Sequence, residues 1–503
     1  MLASTAILII CGSSYFSMLL GVLRSVLVMR MLGPSAQGIR KIVDLFNKYL
    51  SNSHLGVLHG VNKQVPILLG QSDRQQVQDV EDIGITWIIA LTAAASLAMA
   101  VIGLCQPTGH FTTGMAITIG AGTLLISQTY TVYRTMARAW GNFAALGIVG
   151  GVETIATFIF TLGGAWKFGV LGAMVGTLIA GCLSLLVLSF LAPIKIQLKF
   201  DVREGLKLAK IGLPIAFIIF SDTFLRSVDQ TIIGWKYEAY RFGLYSMATQ
   251  IATYLFAIPE AAGFVIWPKI LLAYGRADGD HMQMRRQIVL PTLMAGFFMP
   301  VLAGTSFIVL PPLVNAILPE FTVAIAAAQM LSLGAVFLAI PMATNSLLIA
   351  HGQEWQVVLS KLTGAAVAAA GCYWAVNHGG SLMALAISAS IGYGVAAAAS
   401  VAIVLPQYET SPRRTIEMFI SIFMPFLWSL LCLKASTMAA DMIYGTVALG
   451  ALPLAQADHS LNPEFSAVRL VIFLALMAPV LIYGNQKTRA LREFRSMIRS
   501  WIN

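Results

Sequence analysis

Arg24 lies well inside the first long apolar stretch of the chain, Leu2–Leu32, and Arg30 follows one to two turns later. A guanidinium at mid-bilayer depth costs roughly 2.5–3.5 kcal/mol on insertion scales, so it normally faces a bundle interior or water and marks a pathway. The bland alternative is an arginine that snorkels or pairs within the bundle. The next segment weakens that alternative. After Leu32-Gly33-Pro34-Ser35-Ala36-Gln37-Gly38, residues 37–64 carry Arg40, Lys41, Asp44, Lys48, His54, His59 and Lys63 among Leu, Val and Phe. A 3.6-residue period puts Lys41, Asp44, Lys48, Asn52, His59 and Asn62 on one stripe. Such a helix crosses a bilayer only if the stripe lines water or protein; otherwise it lies on the membrane surface. The neighbouring spans require it to cross.

A second charged group is Asp222, Arg226 and Asp229, at i, i+4 and i+7 after Pro214. Read as one helix face, it offers a carboxylate that exchanges its arginine partner for a proton or sodium ion. The competing reading is a permanent, self-neutralising triad. Polar residues at Gln128, Tyr130, Tyr133, Arg134 and Arg138, and at Tyr245, Thr249, Gln250, Thr253 and Glu260, accompany the two charged groups. Aromatics scattered in this way are more often core or interface than a sugar-binding wall. Gly169, Gly172 and Gly176 read as close helix packing.

The elements that must hold these residues are membrane spans. The 503 residues are 58% hydrophobic and only 11% charged, which excludes an ordinary soluble domain; mean hydropathy is +0.79. Segments near the ~20 apolar residues needed for a crossing fall at about 3–32, 37–62, 80–104, 113–138, 143–164, 168–192, 207–234, 242–267, 287–312, 322–350, 356–377, 382–405, 416–438 and 465–484. The fold class expected is an all-α polytopic membrane protein of about 14 transmembrane helices. Basic residues gather in alternate loops: Lys63 and Arg74, Arg134 and Arg138, the run from Lys195 to Lys210, Lys269 to Arg286, Arg413 and Arg414, and the tail Lys487–Arg499. The opposite loops hold little beyond Lys167, Lys236, Arg241, Asp441, Asp458 and Glu464. Positive loops stay inside, so both termini are expected on the cytoplasmic side; the resemblance described below places them at a bacterial inner membrane.

The net charge of +10 is therefore a topology signal, with no nucleic-acid partner implied. The basic tail reads as an interfacial helix on anionic lipid. Five scattered cysteines give neither a disulfide framework nor a metal spacing, and His54 and His59 are five apart, a poor fit to one helix face. No metal or cofactor is expected beyond the coupling proton or sodium ion. No cleavable leader is expected either, since the first span lacks a basic n-region. That span starts almost at Met1, in keeping with a few residues missing upstream.

The chain repeats itself. Leu23-Arg24-Ser25-Val26 recurs as Leu225-Arg226-Ser227-Val228, and Val65-Pro66-Ile67-Leu68-Leu69 is echoed at the same offset by Trp267-Pro268-Lys269-Ile270-Leu271-Leu272. A third echo, Ala139-Trp140-Gly141-Asn142 against Ala350-His351-Gly352-Gln353, comes at a slightly larger offset. Six spans per repeat is an even number, so the halves are parallel repeats about an axis along the membrane normal. The expected organisation is an N-lobe at 1–195, a cytoplasmic linker at 196–212, a C-lobe at 207–405, two extra spans within 406–485 and a basic tail at 486–503. Two such lobes leave a cleft lined by the first spans of each.

The stretches LGVLRSVLVMRMLGPSAQG, HLGVLHGVNKQVPILLG and SVDQTIIGWKYEAYRFGLYSMATQ resemble the polysaccharide-transport family. These are oligosaccharide flippases of the multidrug/oligosaccharidyl-lipid/polysaccharide superfamily. The resemblance covers the twelve repeated spans; Asp229, Gly234, Gly243 and Tyr245 carry its second-half motif. It implies a non-enzymatic transporter that moves an undecaprenyl-pyrophosphate-linked oligosaccharide to the outer leaflet by alternating access. Its partners would be that lipid-linked glycan, anionic lipids and glycan-assembly proteins. Arg24 and Arg30 match the basic first helix of related lipid II flippases, but Asn52 and Ser53 stand where those relatives carry a basic pair. That departure favours a different glycan carrier. Substrate phosphate would be attracted by Arg24, Arg30, Lys41, Lys48 and Arg226, with Asp222 and Asp229 coupling an ion. A lipid II flippase and a cation-coupled drug exporter are the rivals within the superfamily; acidic residues would dominate the latter's cleft. A polytopic glycan polymerase or ligase would want a large external domain, whereas the longest external loop, about 437–464, is short and acidic.

Overall fold

The structure is a computed structural model that describes the backbone of residues 2–71, 74–193, 197–277, 281–408, 411–443 and 460–488, with side chains at these positions except 2–16, 108, 262–288 and 487–488. The interfacial tail expected from Lys487 onward, beyond Thr488, and the loop containing Asp458 fall outside the described residues.

Among the described residues, all regular structure is helical. Hydrocarbon offers no hydrogen bonds, so each span must satisfy its own backbone, and the helix does so within one segment. Eleven described helices are long and apolar enough to cross a membrane. Dividing two of these at glycine bends and adding the helix Ala239–Ala277 gives fourteen candidate passes among the described residues, in the order the hydropathy pattern anticipates.

The helix Phe143–Leu191 shows why bends matter. Its 49 residues would extend roughly 74 Å if straight, more than twice the ~30 Å hydrocarbon core. At Gly169 (φ 60°, ψ −141°) the chain leaves helical geometry and turns back. A Cβ on Gly164 would strike the Gly172 carbonyl, one on Gly176 would strike the Phe160 carbonyl, and the Thr161 and Thr177 hydroxyls meet at 3.2 Å. Gly172 and Gly176 therefore serve close packing, as their spacing implied. Gly169 does not: a Cβ there meets open space, and its role is the positive φ of the turn. The first pair of spans is separated in the same way, at Gly33 (φ 68°, ψ 176°) just before Pro34.

The chain forms two compact units, Met1–Thr223 with Ile233–Leu244, and Phe224–Ile232 with Tyr245–Asn503. In the first, Val57, Val61, Ile85, Ile88, Val132 and Leu208 share a core, so the helix Val202–Leu225 packs among the spans before it. The linker is strapped to the helix Arg74–Leu104. Trp87 stacks on Phe200 at 4.8 Å and donates to the Asp201 carbonyl at 2.9 Å, and the Gln197 amide donates to the Asp82 carboxylate at 2.9 Å. Lys199 pairs with Asp79 at 2.8 Å, and that carboxylate holds the exposed ammonium above its ordinary pKa range. In the second unit, Phe256, Leu293, Phe297 and Ile308 share a core with Ile422, Cys432, Phe473 and Met477, so the last two spans belong to it.

The third sequence echo is a structural one. At both Gly141 (φ 72°) and Gly352 (φ 69°) a helix ends in the left-handed conformation. In both, the following residue's amide reaches back five positions, Asn142 to the Ala137 carbonyl and Gln353 to the Leu348 carbonyl, each at 2.8 Å. This is the Schellman closure of a helix C-terminus, built twice by the same four-residue pattern.

Candidate functional site

The first unit holds Arg24, Arg30, Lys41, Lys48 and Asp222, and the second holds Arg226 and Asp229. In the first unit, Arg24 is part-buried within unbroken helix, one turn before the fully buried Val28, and Arg30 is exposed near the Gly33 bend. Beyond the bend, Lys41 is 16% exposed and lies 3.8 Å from the Asp44 carboxylate. Lys48, part-buried, closes the same helix.

The polar stripe does not continue as one helix. The second span stops at Leu50, runs through a turn at 51–56 and restarts as the helix Val57–Gly70. Its local cause is side chains that compete with the backbone ladder. Ser51 Oγ donates to the Lys48 carbonyl at 2.9 Å, and His54 Nδ1 accepts the Gly56 amide at 3.2 Å. Leu55 (φ 47°) and Gly56 (φ 88°) then reverse the handedness. Consequently Lys41, Asp44 and Lys48 precede the break, while His59 and Asn62 come after it on another helix.

Irregular backbone at membrane depth survives only when protein covers it. Here Gln128 Nε2 donates to the Ser51 carbonyl at 3.0 Å. The helix Val202–Leu225 closes the other side: a Cβ on Gly212 would strike the Gly56 carbonyl, and one on Gly60 the Leu208 carbonyl. The break also brings the His54 and His59 rings to 5.3 Å, edge to face. Their five-residue spacing gave no sign of this, because it assumes a continuous helix.

The second unit carries Arg226 and Asp229. The helix Val202–Leu225 ends just before Arg226 and the next, Val228–Lys236, starts just after Ser227, so Asp222, Arg226 and Asp229 do not share one continuous helical face. Gln230 Nε2 donates to the Arg226 carbonyl at 2.9 Å and Thr231 Oγ1 to the Ser227 carbonyl at 2.8 Å. The Arg226 guanidinium lies over the Phe256 ring, 4.1 Å from its centroid, close enough for a cation–π attraction. Asp229 is fully buried and accepts a 2.6 Å hydrogen bond from the Tyr245 hydroxyl. The structure thus unites Asp229 with Tyr245, two residues of the second-half motif.

One buried cation escaped the sequence reading. Arg469 is only 8% exposed, with its guanidinium 5.6 Å from the centre of the Phe307 ring. The signal was present, a lone arginine in the last apolar run. Among the described residues no cluster of three or more His, Cys, Asp or Glu is placed to hold a metal ion.

The chain thus keeps charged side chains beside two helix interruptions, at 51–56 and at 226–227. Residues 71–321 match the family described as polysaccharide biosynthesis protein. The lipid II flippase MurJ, in an inward closed conformation, superposes with a TM-score of 0.69 over 96% of this chain and 99% of its own, at 13% identity. An inward-facing multidrug resistance transporter of the MATE family gives 0.61 over 76% and 92%, at 16% identity. A Vibrio cholerae MATE transporter gives 0.56 over 83% and 97%, at 14% identity. No curated protein sequence matches significantly. Residues 71–321 are thus similar to the polysaccharide biosynthesis protein family, and the chain, an all-α polytopic membrane protein, shares its fold with the lipid II flippase MurJ and the MATE transporters.

Proposed function

We propose that the chain flips an undecaprenyl-pyrophosphate-linked oligosaccharide from the cytoplasmic to the outer leaflet of a bacterial inner membrane, by alternating access and without catalysing a covalent step. The observation that carries this reading is the cationic character of the first two spans: Arg24, Arg30, Lys41 and Lys48 within the single bent helix Leu2–Leu50, against the one acid Asp44. A pyrophosphate needs such donors, and a guanidinium keeps its charge in low dielectric. Arg226, held over Phe256, is the second-half counterpart that attracts substrate phosphate. Asp229, bonded to Tyr245, and Asp222 are the carboxylates we assign to coupling by a proton or sodium ion.

A drug exporter of the same superfamily is the competing reading, and acidic dominance of the first spans would favour it. The family described for residues 71–321 supports the glycan cargo. Both termini, the linker and Lys199 are assigned to the cytoplasm, and Lys236 and Asp458 to the outside. Deletion of the gene in its source organism tests the cargo: lipid-linked oligosaccharide should accumulate at the cytoplasmic leaflet. Normal surface glycan and no accumulation would contradict it.

A further inference from the structure

At one end of the first unit four helix ends converge. The helix Arg74–Leu104 begins there, Phe111–Ala139 stops there, and Phe143–Leu191 both starts and finishes there. They enclose a cavity of about 400 Å³ lined by Arg74, Gln78, Glu81, Trp140, Asn142 and Pro193, with Ala137 and Ala192 beneath. The site uses none of the residues assigned to transport. Helices that cross a bilayer end at its surface, so the cavity opens at headgroup depth.

Its lining is arranged for a ligand with an anion and several hydroxyls. Glu81 is 6% exposed, and its carboxylate accepts the Trp140 indole N–H at 2.7 Å. Burying a carboxylate is costly unless it is hydrogen-bonded. This bond fixes an indole that is itself 50% exposed, leaving a flat apolar wall beside the cavity. A tryptophan merely floating in the membrane's aromatic belt needs no buried carboxylate to orient it. Arg74 is exposed in the first turn of its helix, where a guanidinium fork adds to the positive pole of the helix. Gln78 and Asn142 supply amides, with Asn142 steadied on the Leu191 carbonyl at 3.4 Å.

We propose that this cavity binds a hydroxyl-bearing phosphate headgroup, the phosphate on Arg74 and the carbon-bound hydrogens of the polyol against Trp140. An anionic glycerophospholipid and a sugar phosphate share that chemistry. The purified full-length chain in detergent is titrated calorimetrically with dihexanoyl phosphatidylglycerol, dihexanoyl phosphatidylcholine and glucose 1-phosphate. Saturable binding of phosphatidylglycerol alone identifies a membrane lipid as the source, and binding of glucose 1-phosphate identifies a sugar phosphate; either supports the site. Arg74→Gln should weaken that binding by about tenfold or more, the scale of one lost charge-assisted contact, and Trp140→Ala should weaken it as well. Lys199→Gln removes another exposed cation of the same unit and should leave it unchanged. Absence of saturable binding overturns the proposal. So does equal binding of phosphatidylcholine and phosphatidylglycerol, and so does an equal loss in Lys199→Gln. None of these outcomes touches the transport proposal, because the titration requires no flipping.

Discussion

Arg24 and Arg226 hold the same place in a recurring tetrad, yet one sits in unbroken helix and the other at a break. The tetrad Leu-Arg-Ser-Val is common to both, so the difference lies in the residues around it. After Arg24 come Leu27, Val28 and Met29, which leave the backbone ladder undisturbed. After Arg226 come Gln230 and Thr231, whose side chains add bonds to the Arg226 and Ser227 carbonyls while the Thr231 amide still donates to the Ser227 carbonyl at 2.8 Å. The next span reverses the pattern: it breaks at 51–56 in the first half and runs unbroken as Ala239–Ala277 in the second. Each half thus has one continuous and one interrupted helix in its leading pair. The interruptions thus fall at different places relative to the two tetrads.

The largest effect should come from the continuous member. Arg24→Ala is expected to reduce glycan export about 100-fold, the scale of losing roughly 3 kcal/mol of charge-assisted contact, with membrane levels unchanged. Arg24→Lys should be partly active. Full complementation of a null strain by Arg24→Ala would make the residue structural and dissolve its contrast with Arg226.

At the interrupted member, Asp229→Asn separates two accounts. If Asp229 couples an ion, the variant should remain folded and bind substrate but no longer respond to an imposed gradient in vesicles. If it only neutralises a buried charge, the variant should fold poorly, a cost of about 3–5 kcal/mol. Tyr245→Phe, which removes the 2.6 Å bond to Asp229, should lower stability by roughly 1.5–3 kcal/mol, read as a shift in thermal unfolding of the purified chain. A shift no larger than that of an exposed substitution would show that the bond does not anchor the break.

The smallest effects should be the most symmetric. Gly141→Ala and Gly352→Ala each force a side chain into the left-handed region and should cost about 1–2 kcal/mol apiece. The two losses should add, since they lie in separate units. Strongly unequal or non-additive losses would mean that these turns are not equivalent parts of the repeat.

The spans were legible because apolar length is a direct physical requirement of the bilayer. The Gly141 and Gly352 turns were legible because a left-handed C-cap has a local signature. The breaks were not. Ser51 and His54 act on backbone groups a few residues away, and the cover that makes the break tolerable, Gln128 and Gly212, is remote in sequence. The stripe from Lys41 to Asn62 was therefore read as one helix when it is two. Glu81 sat unnoticed at the polar start of the third span, because its partner Trp140 is 59 residues away. Asp229 and Tyr245, by contrast, were picked out by the family motif before their bond was visible.

The central claim is that this chain moves a pyrophosphate-linked glycan and depends on Arg24 to do so. Purified chain reconstituted in vesicles of phosphatidylethanolamine and phosphatidylglycerol, loaded with fluorescent undecaprenyl-pyrophosphate-linked oligosaccharide, tests it directly through accessibility of the label to an external quencher. Wild-type vesicles should equilibrate the label between leaflets, Arg24→Ala vesicles should match protein-free ones, and a cationic dye should not be exported. Dye export by the wild type without movement of the glycan, or equal glycan flipping by Arg24→Ala, would contradict the account.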